Sequence, residues 1–96
     1  MKIIFSEEAD LDLLQIHTYL GAQNRTAAVS LANTFNKKFE SLARFPFIGR
    51  ERSVFARGLR SVVAENYVIF YRIERDQIMI VRVLDGRRDI DAEFQH

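Results

Sequence analysis

Arginine carries the clearest chemical character in this chain. Residues 44–88 hold ten basic side chains against five acidic ones, and all ten are arginine. A guanidinium offers a planar fork of donors that matches carboxylate or phosphate, where an ammonium offers only a point charge. Tyr67 and Tyr71 stand in the same half of the sequence. Guanidinium groups can stabilise a phosphorane-like transition state and a phenol can exchange a proton, so this set is compatible with phosphodiester cleavage. Arginine and tyrosine are equally the common anchors of protein–protein interfaces, which fits the same residues to a binding surface. A third reading leaves the arginines as apolar stems lying on the protein with their heads in water.

Other chemistries find fewer residues. His17 and His96 are the only histidines, so no histidine triad or histidine-rich metal site can be assembled. His17 follows Leu13 by four residues and is expected to pack beside an apolar helix stripe. Glu7, Glu8, Asp10 and Asp12 lack the spaced ligands of a calcium loop, and Glu7 and Glu8 suit the positive end of a helix. Asp12 sits beside the apolar stripe instead, where it is expected to pair with a sheet arginine, Arg60 or Arg82, as a structural ion pair. Glycines at 21, 49, 58 and 86 fit no phosphate-binding loop, and no metal or cofactor is indicated. The absence of cysteine leaves no disulfide or thiolate zinc site and suits a reducing compartment.

These residues need elements to hold them. Lys2 to Phe5 reads as a strand, and Ser6 can cap a helix over Ser6 to Leu20, in which Ala9, Leu13, Ile16 and Leu20 form one stripe before Gly21 supplies a left-handed stop. Asn24 or Thr26 begins a second helix with Ala28, Leu31, Ala32, Phe35, Phe39 and Leu42 on one face. Phe45-Pro46 forbids its continuation. From Phe47 to Gly58 periodicity disappears and a loop is expected. Leu59–Ala64, Tyr67–Glu74 and Gln77–Leu84 then read as strands joined by Glu65-Asn66 and Arg75-Asp76, with Asn66 the residue suited to positive φ. Arg87 to Phe94 is a tail with at most one or two helical turns.

The fold class is therefore α+β: an N-terminal strand, a helical hairpin, a three-stranded antiparallel sheet and a short C-terminal tail. Ninety-six residues, 48% hydrophobic and 28% charged, are expected to form a single domain over 1–96 and exclude collagen-like and disordered chains. A formal charge of +1 gives no reason to expect direct nucleic-acid binding. No apolar run reaches the roughly 18 residues of a membrane span, and the first eight residues are too short and too acidic for a signal peptide, so a cytoplasmic location without membrane contact is expected.

Strict alternation sorts the sheet into two faces. One carries Arg60, Val62, Tyr67, Ile69, Tyr71, Ile73, Ile78, Ile80, Arg82 and Leu84; the other carries Leu59, Ser61, Val63, Val68, Phe70, Arg72, Met79, Val81 and Val83. Both are largely apolar, and the helices can cover only one. The second is either an exposed interaction patch or is covered by the tail through Ile90 and Phe94.

The order of elements and several words resemble the RelE/ParE toxin superfamily, in its ParE-like branch: the toxic halves of bacterial type II toxin–antitoxin modules. The resemblance rests on Ala9-x-x-Asp12-Leu13-x-x-Ile16-x-x-Tyr19-Leu20, Leu42-Ala43-Arg44-Phe45-Pro46-x-x-Gly49-Arg50, Gly58-Leu59-Arg60-Ser61, Tyr67-Val68-Ile69-Phe70-Tyr71-Arg72-Ile73, and Val81-Arg82-Val83-Leu84-Asp85-Gly86-Arg87-Arg88-Asp89. It implies the same order of elements, a cognate ParD-like antitoxin in an oligomeric complex, and inhibition of DNA gyrase by protein contact rather than catalysis.

RelE-like members of that superfamily cut messenger RNA on the ribosome. Their pattern of basic residues and a terminal tyrosine falls here on Leu59, Ser61, Val68 and Phe94, with only Arg88 retained, so ribonuclease activity is the alternative and not the expectation. A non-toxic relative that keeps antitoxin binding is the third reading. The target-binding candidates are Arg87, Arg88, Arg50, Arg52 and Arg57. The antitoxin-binding candidates are Leu59, Val68, Phe70, Val81 and Phe94, expected as an exposed patch on the face away from the helices.

Overall fold

The computed structural model describes residues 1–95, and His96, one of the two histidines considered above, lies outside them. Ser6 starts the helical layer: its Oγ accepts the Ala9 N–H at 2.9 Å, and Glu7, Glu8 and Asp10 place negative charge in the first turn of α1 (Glu7–Gln23). The helix runs past Gly21, which keeps a right-handed backbone, and ends at Asn24. The Asn24 N–H donates to the Leu20 carbonyl at 2.7 Å and its Oδ1 accepts the Ala27 N–H at 3.0 Å, so one residue closes α1 and caps α2 (Arg25–Arg44). A capping side chain is worth about 1 kcal/mol, whereas a helical glycine only costs about that much. The cap decides the boundary.

Leu31, Phe35, Phe39 and Leu42 of α2 face inward, and Phe45-Pro46 ends the helix as expected, turning the chain through a 3-10 turn at Pro46–Ile48. β2 (Arg50–Glu51) follows, then β3 (Arg60–Ala64), β4 (Tyr67–Glu74) and β5 (Gln77–Asp85). The sheet order is β1-β5-β4-β3-β2, with β1 (Lys2–Phe5) parallel to β5 and the remaining pairs antiparallel. The sheet thus has five strands. The expected three-stranded meander is its centre, β1 joins one side, and β2 forms at the other from two residues too short to show periodicity. The turns pair Ala64 with Tyr67 and Glu74 with Gln77, and the positive φ falls on Glu65 (55°) and Arg75 (56°), not on Asn66.

A bulge changes the faces. Phe70 pairs with Arg82 but Tyr71 pairs with Ile80, leaving Val81 without an opposite residue. Beyond it Val83 faces the helices and Leu84 faces away, the reverse of the strict alternation. The helix side encloses Phe35, whose ring meets Tyr67 edge-on at 5.6 Å, with His17 packed edge-on at 5.8 Å. On the far side, Leu59, Phe70 and Leu84 form a second buried cluster under Phe55, Ala56, Ile90 and Phe94. The tail, including α3 (Ile90–Glu93), packs on that side from within the chain, so among the described residues Leu59 and Phe70 are buried and Val68 and Val81 half-buried, instead of forming the exposed patch expected there.

Candidate functional site

At the end of β5 the chain places two of its arginines at the surface. The Arg87 guanidinium is 86% exposed and holds Asp85 through Nε at 3.1 Å and Nη2 at 2.9 Å, while the Arg87 N–H donates to Asp85 Oδ1 at 2.9 Å. These bonds, the side-chain one foremost, hold the Asp85 carboxyl well below its ordinary 3.8, at about 2. Arg88 pairs with Glu93 of α3. Both arginines border a cleft of about 260 Å³ whose other walls include Ile16 and Tyr19 of α1 and Tyr67 of β4. Burial, and secondarily Asp85, raises the Tyr67 phenol above its ordinary value, which disfavours its ionisation.

Beside the cleft, Asp12 is buried and takes three donors: Arg82 Nε at 2.8 Å, Arg82 Nη2 at 3.0 Å and the Val83 N–H at 2.9 Å. The hydrogen bond to Asp12 raises the Arg82 guanidinium further above its ordinary value. Arg82 also reaches Glu93 at 3.5 Å, so it spans the open edge of β5 from the helical layer to the tail. Of the two pairings considered for Asp12, only Arg82 forms. Arg60 instead donates to the Gly49 carbonyl at 2.7 Å and pairs with Glu51 at 3.4 Å, because β3 lies on the far side of β4 from the edge that Asp12 guards.

The remaining target candidates are dispersed. Arg50 is an exposed β2 residue and Arg57 an exposed loop residue, whereas Arg52 turns inward. Its guanidinium lies 4.7 Å from the Phe55 ring centre and 5.6 Å from that of Phe70, and Nη1 donates to Ser61 Oγ at 3.2 Å. The five antitoxin candidates do come together, but inside: Leu59 and Phe70 are fully buried and Val68, Val81 and Phe94 pack around them. Phe94 contacts Phe70 edge-on at 4.9 Å and stacks on Phe55 at 5.8 Å.

Of the two phenols considered with the arginines, Tyr67 shares the cleft of Arg87 and Arg88, whereas Tyr71 is withdrawn from the surface. Tyr71 is fully buried, its Oη donates to the Pro46 carbonyl at 2.7 Å and accepts the Gly49 N–H at 2.9 Å, and burial raises its pKa. Sequence reasoning missed Phe55 as the lid of the second cluster, Asp85 as the partner of Arg87, and Phe45, Phe47 and Ile48 as outward-facing side chains. Three large apolar residues flanking a proline inside an aperiodic segment were the available signal for the last group.

A five-stranded mixed sheet, a capped helical hairpin on one face, a tail packed on the other and an arginine pair at the tip define a small α+β fold. The chain belongs to the family described as ParE toxin of type II toxin–antitoxin system, parDE, whose model matches residues 3–90. Toxin ParE3 of Caulobacter vibrioides (strain ATCC 19089 / CIP 103742 / CB 15) is 34% identical over 62 residues, a match covering 65% of this chain and 62% of that relative's length. The solved chromosomal ParDE TA system from P. aeruginosa contains a chain with the same fold at a TM-score of 0.74, 18% identical, over 88% of this chain and 95% of that one. Among the described residues no helix is long and apolar enough to cross a membrane.

Proposed function

We propose that this protein is the toxic component of a type II toxin–antitoxin module, that it inhibits DNA gyrase by protein contact through the β5 tip, and that a ParD-like antitoxin neutralises it. The observation that carries the reading is the state of the face away from the helices. Ribosome-dependent nucleases of the superfamily would need basic side chains at Leu59, Ser61 and Val68 and a hydroxyl at Phe94. Here Leu59 is buried, Ser61 is occupied by Arg52, and Phe94 is packed on Phe70. With the tail packed on Phe70, the Leu59 position is closed to a phosphodiester. Arg87 and Arg88, by contrast, stand clear of the sheet beside an open cleft. A desolvated arginine at a protein interface can contribute about 2 kcal/mol or more, which makes this pair the candidate anchor of a target contact.

The antitoxin contact falls on the partly accessible rim of the second cluster, Val68, Val81 and Phe94, with Leu59 and Phe70 supporting it from beneath. Induced expression tests the target. Gyrase inhibition gives filamentation and a DNA-damage response with messenger RNA intact; cleaved messages with normal supercoiling would sink the proposal in favour of the ribonuclease. Arg87→Ala with Arg88→Ala is expected to abolish toxicity while the fold and antitoxin affinity persist. Full toxicity in that variant would move the target contact to Arg50 or Arg57.

A further inference from the structure

Phe45, Phe47 and Ile48 are 56, 68 and 54% exposed, three large apolar side chains within four positions. They line, with Arg44 and Pro46, a shallow depression of about 410 Å³. This surface is held rather than left loose. Tyr71 Oη takes the Pro46 carbonyl and the Gly49 N–H, Arg60 Nη1 takes the Gly49 carbonyl at 2.7 Å, and the Ile48 N–H donates to the Phe45 carbonyl at 3.2 Å. Gly49 leaves no room for anything else, since a Cβ there would lie 2.3 Å from Tyr71 Oη. A buried tyrosine and a sheet arginine thus fix two phenylalanines and an isoleucine facing outward. Rigid apolar anchors lose little conformational entropy on binding, which is the property of interface hot spots.

Charge narrows the occupant. The Arg44 guanidinium lies 5.5 Å from the Phe45 ring centre and forms no ion pair among the described residues, while Arg60, 5.1 Å from the Phe47 ring centre, is taken up by the Gly49 and Phe47 carbonyls and by Glu51. A second copy of the chain would bring the same arginines face to face, at a cost in like-charge repulsion. We propose that the Phe45–Ile48 knuckle is a docking surface for an acidic amphipathic segment of another protein, in which leucine or aromatic side chains fill the depression and a flanking carboxylate meets Arg44. It is distinct from the Arg87–Arg88 tip and stands whether or not that tip binds a target.

The test is a selection of random displayed peptides, about a dozen residues long, against the full chain, with depletion on a Phe47→Ala/Ile48→Ala variant whose melting midpoint matches the parent. Both changed side chains are mostly exposed, so the variant is expected to fold. The expected result is enrichment of sequences placing Asp or Glu beside Leu, Phe or Trp. Synthetic copies should shift the amide signals of Phe45 to Gly49, and should bind at least about tenfold more weakly to Phe47→Ala/Ile48→Ala and measurably more weakly to Arg44→Glu. Enrichment that survives in the double variant, enrichment of basic peptides, or no enrichment above the variant's background overturns the proposal. So does self-association of the parent, or its binding to a single-stranded oligonucleotide or to phosphatidylglycerol vesicles, if the double variant abolishes it.

Discussion

Asp12 answers three donors with one carboxylate, and its worth lies in what its loss would strand. Asp12→Ala leaves the Arg82 guanidinium and the Val83 N–H without their main acceptor at a partly buried edge. Orphaning such a charge costs about 3 kcal/mol or more, to be read from the urea midpoint of the purified chain. Asp85 is more exposed than Asp12 and pairs locally. Its folded pKa is about 2 against an ordinary 3.8, so whatever stability the Arg87 contact adds is fully present above 3.8 and is lost as pH falls through about 2. Carboxyl carbon shifts followed by NMR should place the Asp85 midpoint near 2, and Arg87→Ala should move it up toward 3.8. Absence of that movement would remove the side-chain hydrogen bond as the cause. Asp12 was legible in the sequence because an acid beside an apolar stripe demands a cation. Asp85 was not, since a bond between residues two apart depends on how the strand ends.

At the scale of elements, the knuckle between α2 and β2 depends on Tyr71. Tyr71→Phe removes the donor to Pro46 and the acceptor of Gly49 while keeping the ring, so two buried backbone groups lose their partners. A loss of about 1–3 kcal/mol is expected, with faster hydrogen exchange at the Gly49 amide than at the centre of β4. Unchanged exchange at Gly49 would mean that Arg60 alone holds the turn. Both helices, the long strands and their hairpins could be read from periodicity and caps, because hydrophobic spacing and local hydrogen bonds act within a few residues. The end of α1 was misplaced because Gly21 is only a poor helix former whereas Asn24 is an active cap. The Val81 bulge was invisible because alternation assumes a perfect ladder, and that one extra residue exchanged the faces of Val83 and Leu84. β2 is set by pairing with β3, not by its own two residues.

The whole molecule is a sheet with a core on each side, and the far core changes what a face mutation tests. Phe70 has no exposure, so Phe70→Glu would bury an unpaired carboxylate. That penalty, several kcal/mol, is comparable with the roughly 5–15 kcal/mol stability of a domain. The chain is therefore expected to unfold on its own, by circular dichroism, before any antitoxin is added; a folded Phe70→Glu chain that merely binds antitoxin less well would mean that the tail opens readily. The edge of β5 has a different consequence. β1 covers β5 only as far as Ile80, and beyond it the Val81 carbonyl accepts from Ser6 Oγ at 2.7 Å while the Val83 N–H donates to Asp12 Oδ2. A strand edge of this kind, rich in valine, isoleucine and leucine, is a template on which another chain can polymerise. Two side chains from α1 and its cap occupy the bonding positions instead, so the growth of fibrils from this edge is blocked by the helix that the same serine begins.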